Sequence, residues 1–532
     1  MDRRTFNSML LGGAAASILG LPRAVRAAAD GTLRIAMTLS DVPTTTGQAN
    51  QGTEGVRFIS NSLYDGLIRW DLTHADRAAT LVPGLAESWT VDSDDPTRWQ
   101  FKLRQNVRFH DGSLFDADAV IWNLDKLLNK ESAQFDQAQA IQATPNTASI
   151  ASYRKIDDQT VEIQTRQPDS VQLYYLAQVF MSSPKHWHAL GGSWAKFAEQ
   201  PSGTGPFKLT RLVPRDRAEM VPNADYWNPD RVPEVKRLVL MCMPDSNTRV
   251  AALLSGQIDW AEAPAPDALP RLKSEDVNVV TNIYPHIWPY AFSLIKDSPF
   301  HDVRVRQAAN LGVDRDSIVQ LLGGTAMAAK GMVDPKHPWF GKPNFDIRYA
   351  PDEARRLMKE AGYGPDKLCA VKVATSPSGS GQMQPLPMNE FIQSNLREVY
   401  FDVQFEVLDW ETLRARRRFP ASAPENRGTH ALNQAWAYWD PNIGLLALCT
   451  PGGYNWSEYN DPQAQALAKA ARHEFDPAKQ QDLLAQLHSH MVDQAMWLWV
   501  VHDLNPRALS PKVEGFVQAQ NWFLDLTPVH VA

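Results

Sequence analysis

Residues 497–502, W-L-W-V-V-H, form an unbroken apolar run of the kind found in strands buried on both faces. The run follows a long stretch in which strand and helix patterns alternate. Pro351 opens a helix that stops at Gly362, residues 371–374 form a strand, residues 391–399 a helix, and residues 401–408 alternate again. A buried strand placed after such a stretch points to a chain that crosses back to finish a lobe begun earlier. One passage near residue 290 and another near 500 then define two lobes and a hinge. The length of 532 residues agrees, because it exceeds what one hydrophobic core supports.

The first lobe begins with a strand at 33–37, followed by a polar loop at 38–55 that contains Ser40 and has the character of a pocket wall. Trp99, Phe101 and Leu103 face one way along a period-2 run, and Asp111-Gly112 makes a hairpin turn. Asp116 then caps a helix with Val120, Leu124 and Leu127 at helical spacing. His110-Asp111 belongs to that turn, and no nucleophile stands beside it. Residues 153–165 form a further strand pair. Gly203-Thr204-Gly205-Pro206-Phe207 lacks the Lys-Ser/Thr of a phosphate-binding loop and reads as a tight crossing of the chain.

The first 29 residues differ in kind. Arg3 and Arg4 precede an apolar stretch at 10–21, and Ala27-Ala28-Ala29 suits signal peptidase, so this is an export signal. Arg3-Arg4-Thr5-Phe6 resembles a twin-arginine signal. No cysteine follows the apolar run to carry a lipid, so the mature chain is expected free in the periplasm. Its net charge of about −10 disfavours nucleic acid. Cys242, Cys369 and Cys449 are odd in number and far apart, the pattern of structural thiols rather than a metal site.

Seventeen tryptophans are many for such a chain, and some of them are concentrated. Residues 436–442, W-A-Y-W-D-P-N, set Trp436, Tyr438 and Trp439 beside Asp440. Aromatic faces can sandwich the apolar body of a solute while the carboxylate accepts hydrogen bonds from its polar end. The alternative is an ordinary Asp-Pro helix start with Trp436 and Trp439 in the core. Residues 284–292 hold a second aromatic concentration with Trp288 and Tyr290. Arg414, Arg416, Arg417 and Arg418 form the one strong basic cluster, either a solvated helix face or a clamp for a ligand carboxylate. His488 and His490, two residues apart on a helix, point to different faces and make a poor metal pair.

Five motifs in order carry a resemblance. They are Leu63-Tyr64-Asp65-Gly66-Leu67, Leu85-Ala86-Glu87-Ser88-Trp89, Val107-Arg108-Phe109-His110-Asp111-Gly112, Gly203-Thr204-Gly205-Pro206-Phe207 and Val303-Arg304-Val305-Arg306-Gln307-Ala308. The chain resembles the family 5 extracellular solute-binding proteins, the dipeptide, oligopeptide and nickel receptors of ABC importers. The resemblance implies an α/β, two-lobe periplasmic binding protein fold of type II, in its large cluster with an extra subdomain. Lobe I is expected at 30–289 plus 500–532, the subdomain at about 62–200 and lobe II at 290–499. It further implies a monomer that closes on a small peptide or similar amphiphilic solute and docks on membrane permease subunits, with no cofactor, metal or membrane anchor.

In that family the segment matching 436–442 lines the ligand cleft, which makes Asp440 the candidate partner for a ligand amine. Asn442 stands where the nickel branch has a histidine, so a metal ligand is disfavoured. Residues 380–385, with Met383, lie where some dipeptide receptors place an arginine for the ligand carboxylate; here that partner would be an arginine such as Arg414. The expected ligand-binding set is Trp436, Tyr438, Trp439, Asp440, Asn442, Trp288, Tyr290, Ser40, Met383, Trp410, Arg414 and Trp497. A periplasmic hydrolase acting on peptides or esters is the rival class, and the chain shows no G-x-S-x-G, H-E-x-x-H or P-loop to support it.

Overall fold

The computed structural model describes residues 31–452 and 454–532, so the expected export signal lies outside the described residues. The apolar start of the described chain becomes a central strand. Thr32–Met37 pairs in parallel with Arg237–Cys242 on one side and Trp260–Glu262 on the other. Arg217–Pro222 and Phe207–Val213 extend this seven-stranded sheet at one edge, and Arg507–Leu509 and Asn278–Val280 at the other. Leu33, Ile35 and Met37 from one face pack with Phe58, Trp260 and Leu240.

A four-stranded antiparallel sheet of Ala86–Val91, Arg98–Leu103, Thr160–Thr165 and Ile150–Asp157 forms a separate layer. Trp99, Phe101 and Leu103 are buried as their alternation predicts. The helix Ala117–Leu128 covers them, and Asp116 caps it by accepting the Ala119 N–H at 2.9 Å. At the expected turn, the Gly112 N–H donates to the Phe109 carbonyl at 2.8 Å and Gly112 has φ +82°. The Nε2 of His110 lies 3.0 Å from the Gly205 carbonyl, so this histidine braces the crossing of 203–207. That crossing requires glycine: the Gly205 N–H donates to the Leu63 carbonyl at 3.1 Å, and a Cβ there would lie 2.4 Å from the Leu63 carbonyl carbon.

The second seven-stranded sheet runs Ala326–Ala328, Trp497–Asp503, His286–Phe292, Ala431–Asn433, Cys369–Thr375 and Phe401–Val407, with Trp436–Ala437 paired to His286–Phe292. Its core packs Phe292, Phe300, Leu311, Ile392 and Phe401. Asp302, Asp314, Asp461 and Asp476 each cap a helix through a side-chain oxygen. The three cysteines are free thiols. His488 sits in the core, where Nε2 accepts the Met332 N–H at 3.0 Å and Nδ1 bonds the Phe340 carbonyl at 2.7 Å.

The structure corrects the reading of the late apolar run. Trp497–Asp503 pairs antiparallel with His286–Phe292 and Ala326–Ala328, so it belongs to the second sheet rather than the first. The strand that rejoins the first sheet is the short Arg507–Leu509, which pairs with Trp260–Glu262 and Asn278–Val280. The chain therefore passes between the sheets at 281–285 and again at 504–506. A strand covered on both faces has no polar side to show which sheet it enters, and that is why its pattern misled.

Candidate functional site

The strand Trp436–Ala437 is followed by Asp440-Pro441, and a helical turn begins at Asn442. One oxygen of Asp440 accepts the Ile443 N–H at 2.9 Å, and the Trp436 indole N–H donates to the Ile443 carbonyl at 2.9 Å. Two hydrogen bonds thus fold the segment back on itself and fix the aromatic wall. Burial pushes the Asp440 carboxyl up to about 6, against the backbone N–H groups of Ile443 and Asn442 and the charge of Arg472, which pull it down. Asn442 accepts from Arg472, which is itself paired with Asp169 at 3.1 Å.

Three cavities that share lining residues run along this wall, between residues of the two sheets and the segments that flank the four-stranded layer. The middle one, about 180 Å³, is lined by Trp410, Trp436, Trp439, Asp440 and Trp522, faced by Gln48, Ala49 and Tyr175. Through Ser380, Trp410 and Trp522 it joins a cavity of about 650 Å³ that reaches Ser40, Glu54, Arg57, Glu262 and Met383. Through Arg414, Arg417, Asn442 and Tyr454 it joins one of about 590 Å³ at the far end. The loop beside Trp410 and Trp522 is pressed against them: a Cβ on Gly379 would sit 2.3 Å from the Trp410 ring and one on Gly381 2.8 Å from Trp522. His286 anchors that loop through Nε2 to the Gly381 carbonyl at 2.9 Å, while its Nδ1 accepts the Asp503 N–H at 3.0 Å.

Buried charge forms the floor of the 650 Å³ cavity. Glu262 binds Arg57 at 2.5 Å and Arg507 at 2.8 Å, and also accepts the Trp260 indole N–H at 2.7 Å. Burial alone would raise the Glu262 carboxyl, but Arg507 and Arg57 hold it below its ordinary value. Nearby Asp503 accepts from the Tyr284 hydroxyl at 2.8 Å, and burial pushes its carboxyl up to about 6. Every carboxylate of this floor is thus engaged by a cation, a hydroxyl or a backbone N–H.

Of the residues expected from sequence, the cavities bring together Trp436, Trp439, Asp440, Asn442, Ser40, Met383, Trp410 and Arg414. Tyr438 lines a separate cavity of about 350 Å³ with His337 and Trp339. Trp288, Tyr290 and Trp497 are corrected. Trp288 and Tyr290 are buried in the second sheet's core, where the Tyr290 hydroxyl is taken by Asn389. Trp497 is buried in a neighbouring cluster and donates to Ser457 Oγ at 3.0 Å. Their strands are central and covered on both faces, so aromatics there pack rather than line a cleft.

Sequence reasoning missed Trp522, Tyr175 and Tyr454, which arrive from distant segments with no local pattern. From the basic cluster it named Arg414 and not Arg417. This residue follows Trp410 and Arg414 by seven and three positions, one face of the helix Trp410–Arg416 continued by its capping residue. The guanidinium lies 4.5 Å from the centre of the Trp436 ring and 5.5 Å from that of Tyr454. A solvated helix face does not describe it.

A family model described as "Bacterial extracellular solute-binding proteins, family 5 Middle" matches residues 80–456. The chain is 26% identical over 502 residues to Di/tripeptide-binding protein 2 of Pseudomonas aeruginosa (strain UCBPP-PA14), covering 88% of this chain and 91% of that protein. It is 26% identical over 479 residues to Heme-binding protein A of Haemophilus influenzae, covering 86% and 85%. Among solved structures, the dipeptide binding protein from pseudoalteromonas sp. SM9913 in complex with Met-Leu superposes with a TM-score of 0.79 at 22% identity, over 94% of this chain and all of that one. That likeness carries the two-lobe periplasmic binding fold. The cleft between two sheets and the match across most of the chain agree, and the protein belongs to the bacterial extracellular solute-binding proteins of family 5.

Proposed function

We propose that the protein is the periplasmic receptor of an ABC importer, capturing a small peptide or similar amphiphilic solute and delivering it to membrane permease subunits. The observation that carries this reading is the run of cavities walled by Trp410, Trp436, Trp439 and Trp522 and lined by residues from both sheets. Such a site holds a solute by surface contact and is shut by moving one wall toward the other. Relatives named for di- and tripeptides and for heme support a guest with an apolar body. The sheet pairing supports placing the hinge passages at 281–285 and 504–506, so that lobe I takes 31–280 with 507–532 and carries the four-stranded layer.

Burying about 300 Å² of ligand and wall surface stabilises the complex by about 7 kcal/mol before ordering costs. Micromolar affinity needs about 8 kcal/mol, so polar contacts must supplement the indoles. Mass spectrometry of the solute that co-purifies with the native protein, followed by calorimetry with that solute, tests the reading. Trp410→Ala is expected to weaken binding at least tenfold, with scattering from the wild type showing compaction on addition. A solute that is cleaved rather than returned intact would move the protein to the hydrolase class.

A further inference from the structure

The 590 Å³ cavity is lined by Arg166, Arg414, Arg417, Arg418 and Arg472 and by one carboxylate, Asp169. Asp169 is spent, because Arg472 holds it at 3.1 Å. Arg414 reaches the exposed Glu411 at 3.1 Å, and Arg166 donates through Nε to the Ala148 carbonyl at 3.2 Å. Among the described residues, neither Arg417 nor Arg418 has a carboxylate within ion-pair distance. Arg417 is the more constrained of the two: half-buried, packed over Trp436 and Tyr454, and shared between this cavity and the tryptophan-walled one. Burial, with the charges of Arg414 and Arg418, depresses its guanidinium to about 10, opposed by Tyr454.

A cation kept among like charges with no anion of its own is costly, and a bound anion relieves that cost. The rings of Trp436 and Tyr454 orient the guanidinium plane, as a bidentate carboxylate contact requires. In the tryptophan-walled cavity, burial disfavours the ionised carboxylate that an amine would pair with. The cavity's one carboxylate is Asp440, and one of the two oxygens already caps the turn at Ile443. Resting on the receptor reading above, we infer that the guest is an acidic amphiphile whose carboxylate is received by Arg417 in the arginine-lined cavity, with its apolar body against the indoles and no free amine required.

Three probes that share one body separate the possibilities: N-acetyl-phenylalanyl-alanine, its C-terminal amide, and phenylalanyl-alanine amide, which are anionic, neutral and cationic. In calorimetry the acid is expected to bind at least tenfold more tightly than the neutral amide, a difference of about 1.4 kcal/mol, and the cationic amide most weakly. Arg417→Gln should reduce the acid-to-amide ratio to within twofold, Arg417→Lys should retain part of it, and Arg418→Gln should leave most of it. Equal binding of acid and amide, an unchanged ratio in Arg417→Gln, or tightest binding of the cationic amide overturns the inference. Binding of none of the three overturns it too; stabilisation of the wild type by a casein hydrolysate would then leave the receptor reading standing, and no stabilisation would remove both.

Discussion

At the scale of single residues, Asp440 shows how a site segment can also be a structural device. Its carboxyl titrates near 3.8 when unfolded and near 6 when folded, because burial penalises the ionised form. Between those values the folded state binds more protons, so stability falls as pH rises through the window, by about 3 kcal/mol for this group. Asp503, also pushed up to about 6, titrates over the same range and contributes a similar loss. Asp440→Asn keeps an oxygen for the Ile443 N–H and removes the ionisation. Urea unfolding at pH 4 and pH 7.5 should therefore show the variant more stable than wild type only at the higher pH, by about 3 kcal/mol. Residues 436–442 stood out because their aromatics and carboxylate are contiguous, and Trp436, Trp439, Asp440 and Asn442 line one cavity; the capping role of Asp440 was legible in its Asp-Pro pair. Arg417 stood in plain view within a basic cluster, but its contacts with Trp436 and Tyr454 depend on tertiary packing that charge patterning does not carry.

Among elements, the clearest agreement lies where local rules act alone. Asp116 caps its helix as its position predicts, and the alternation of Trp99, Phe101 and Leu103 places each in the core. Residues 497–503 and 286–292 were harder, since strands buried on both faces have no period that distinguishes core from cleft. The loop holding Gly379 and Gly381 has positive φ at both, 131° and 72°, and leaves no room for a side chain against Trp410 or Trp522. Gly379→Ala must push the Trp410 ring aside or break the loop from its anchor at His286. We expect affinity for the co-purifying solute to fall at least tenfold, while the unfolding midpoint drops by the effect of one to two kcal/mol typical of strained loop positions. Equal affinity would show that the Trp410 wall is not a contact surface.

Across the whole molecule, two short passages join the sheets, and buried charge fastens one of them. Glu262 on Trp260–Glu262 holds Arg57 and also Arg507, the first residue of the strand that returns at 507. Its folded carboxyl lies below the unfolded value of 4.5, so its contribution is fully present above that pH and is lost as pH falls through the folded value. Glu262→Gln leaves the buried Arg507 guanidinium without its anion and Arg57 with only Glu54, at 3.8 Å. Stability at pH 7 should fall by about 3–5 kcal/mol, with a flatter acid limb in denaturation midpoints taken between pH 3 and 7. An unchanged midpoint would mean that the three segments are held by packing alone.

Trp439 lines both the tryptophan-walled cavity and the 350 Å³ cavity of His337, Trp339 and Tyr438. Its indole N–H is buried without a partner among the described residues, and its ring meets Trp522 and Phe523 edge-on or tilted. One side chain is then a partition between two rooms. Evolution within such a scaffold can lengthen the menu of accepted guests by shrinking a single residue, leaving both lobes and their joint untouched.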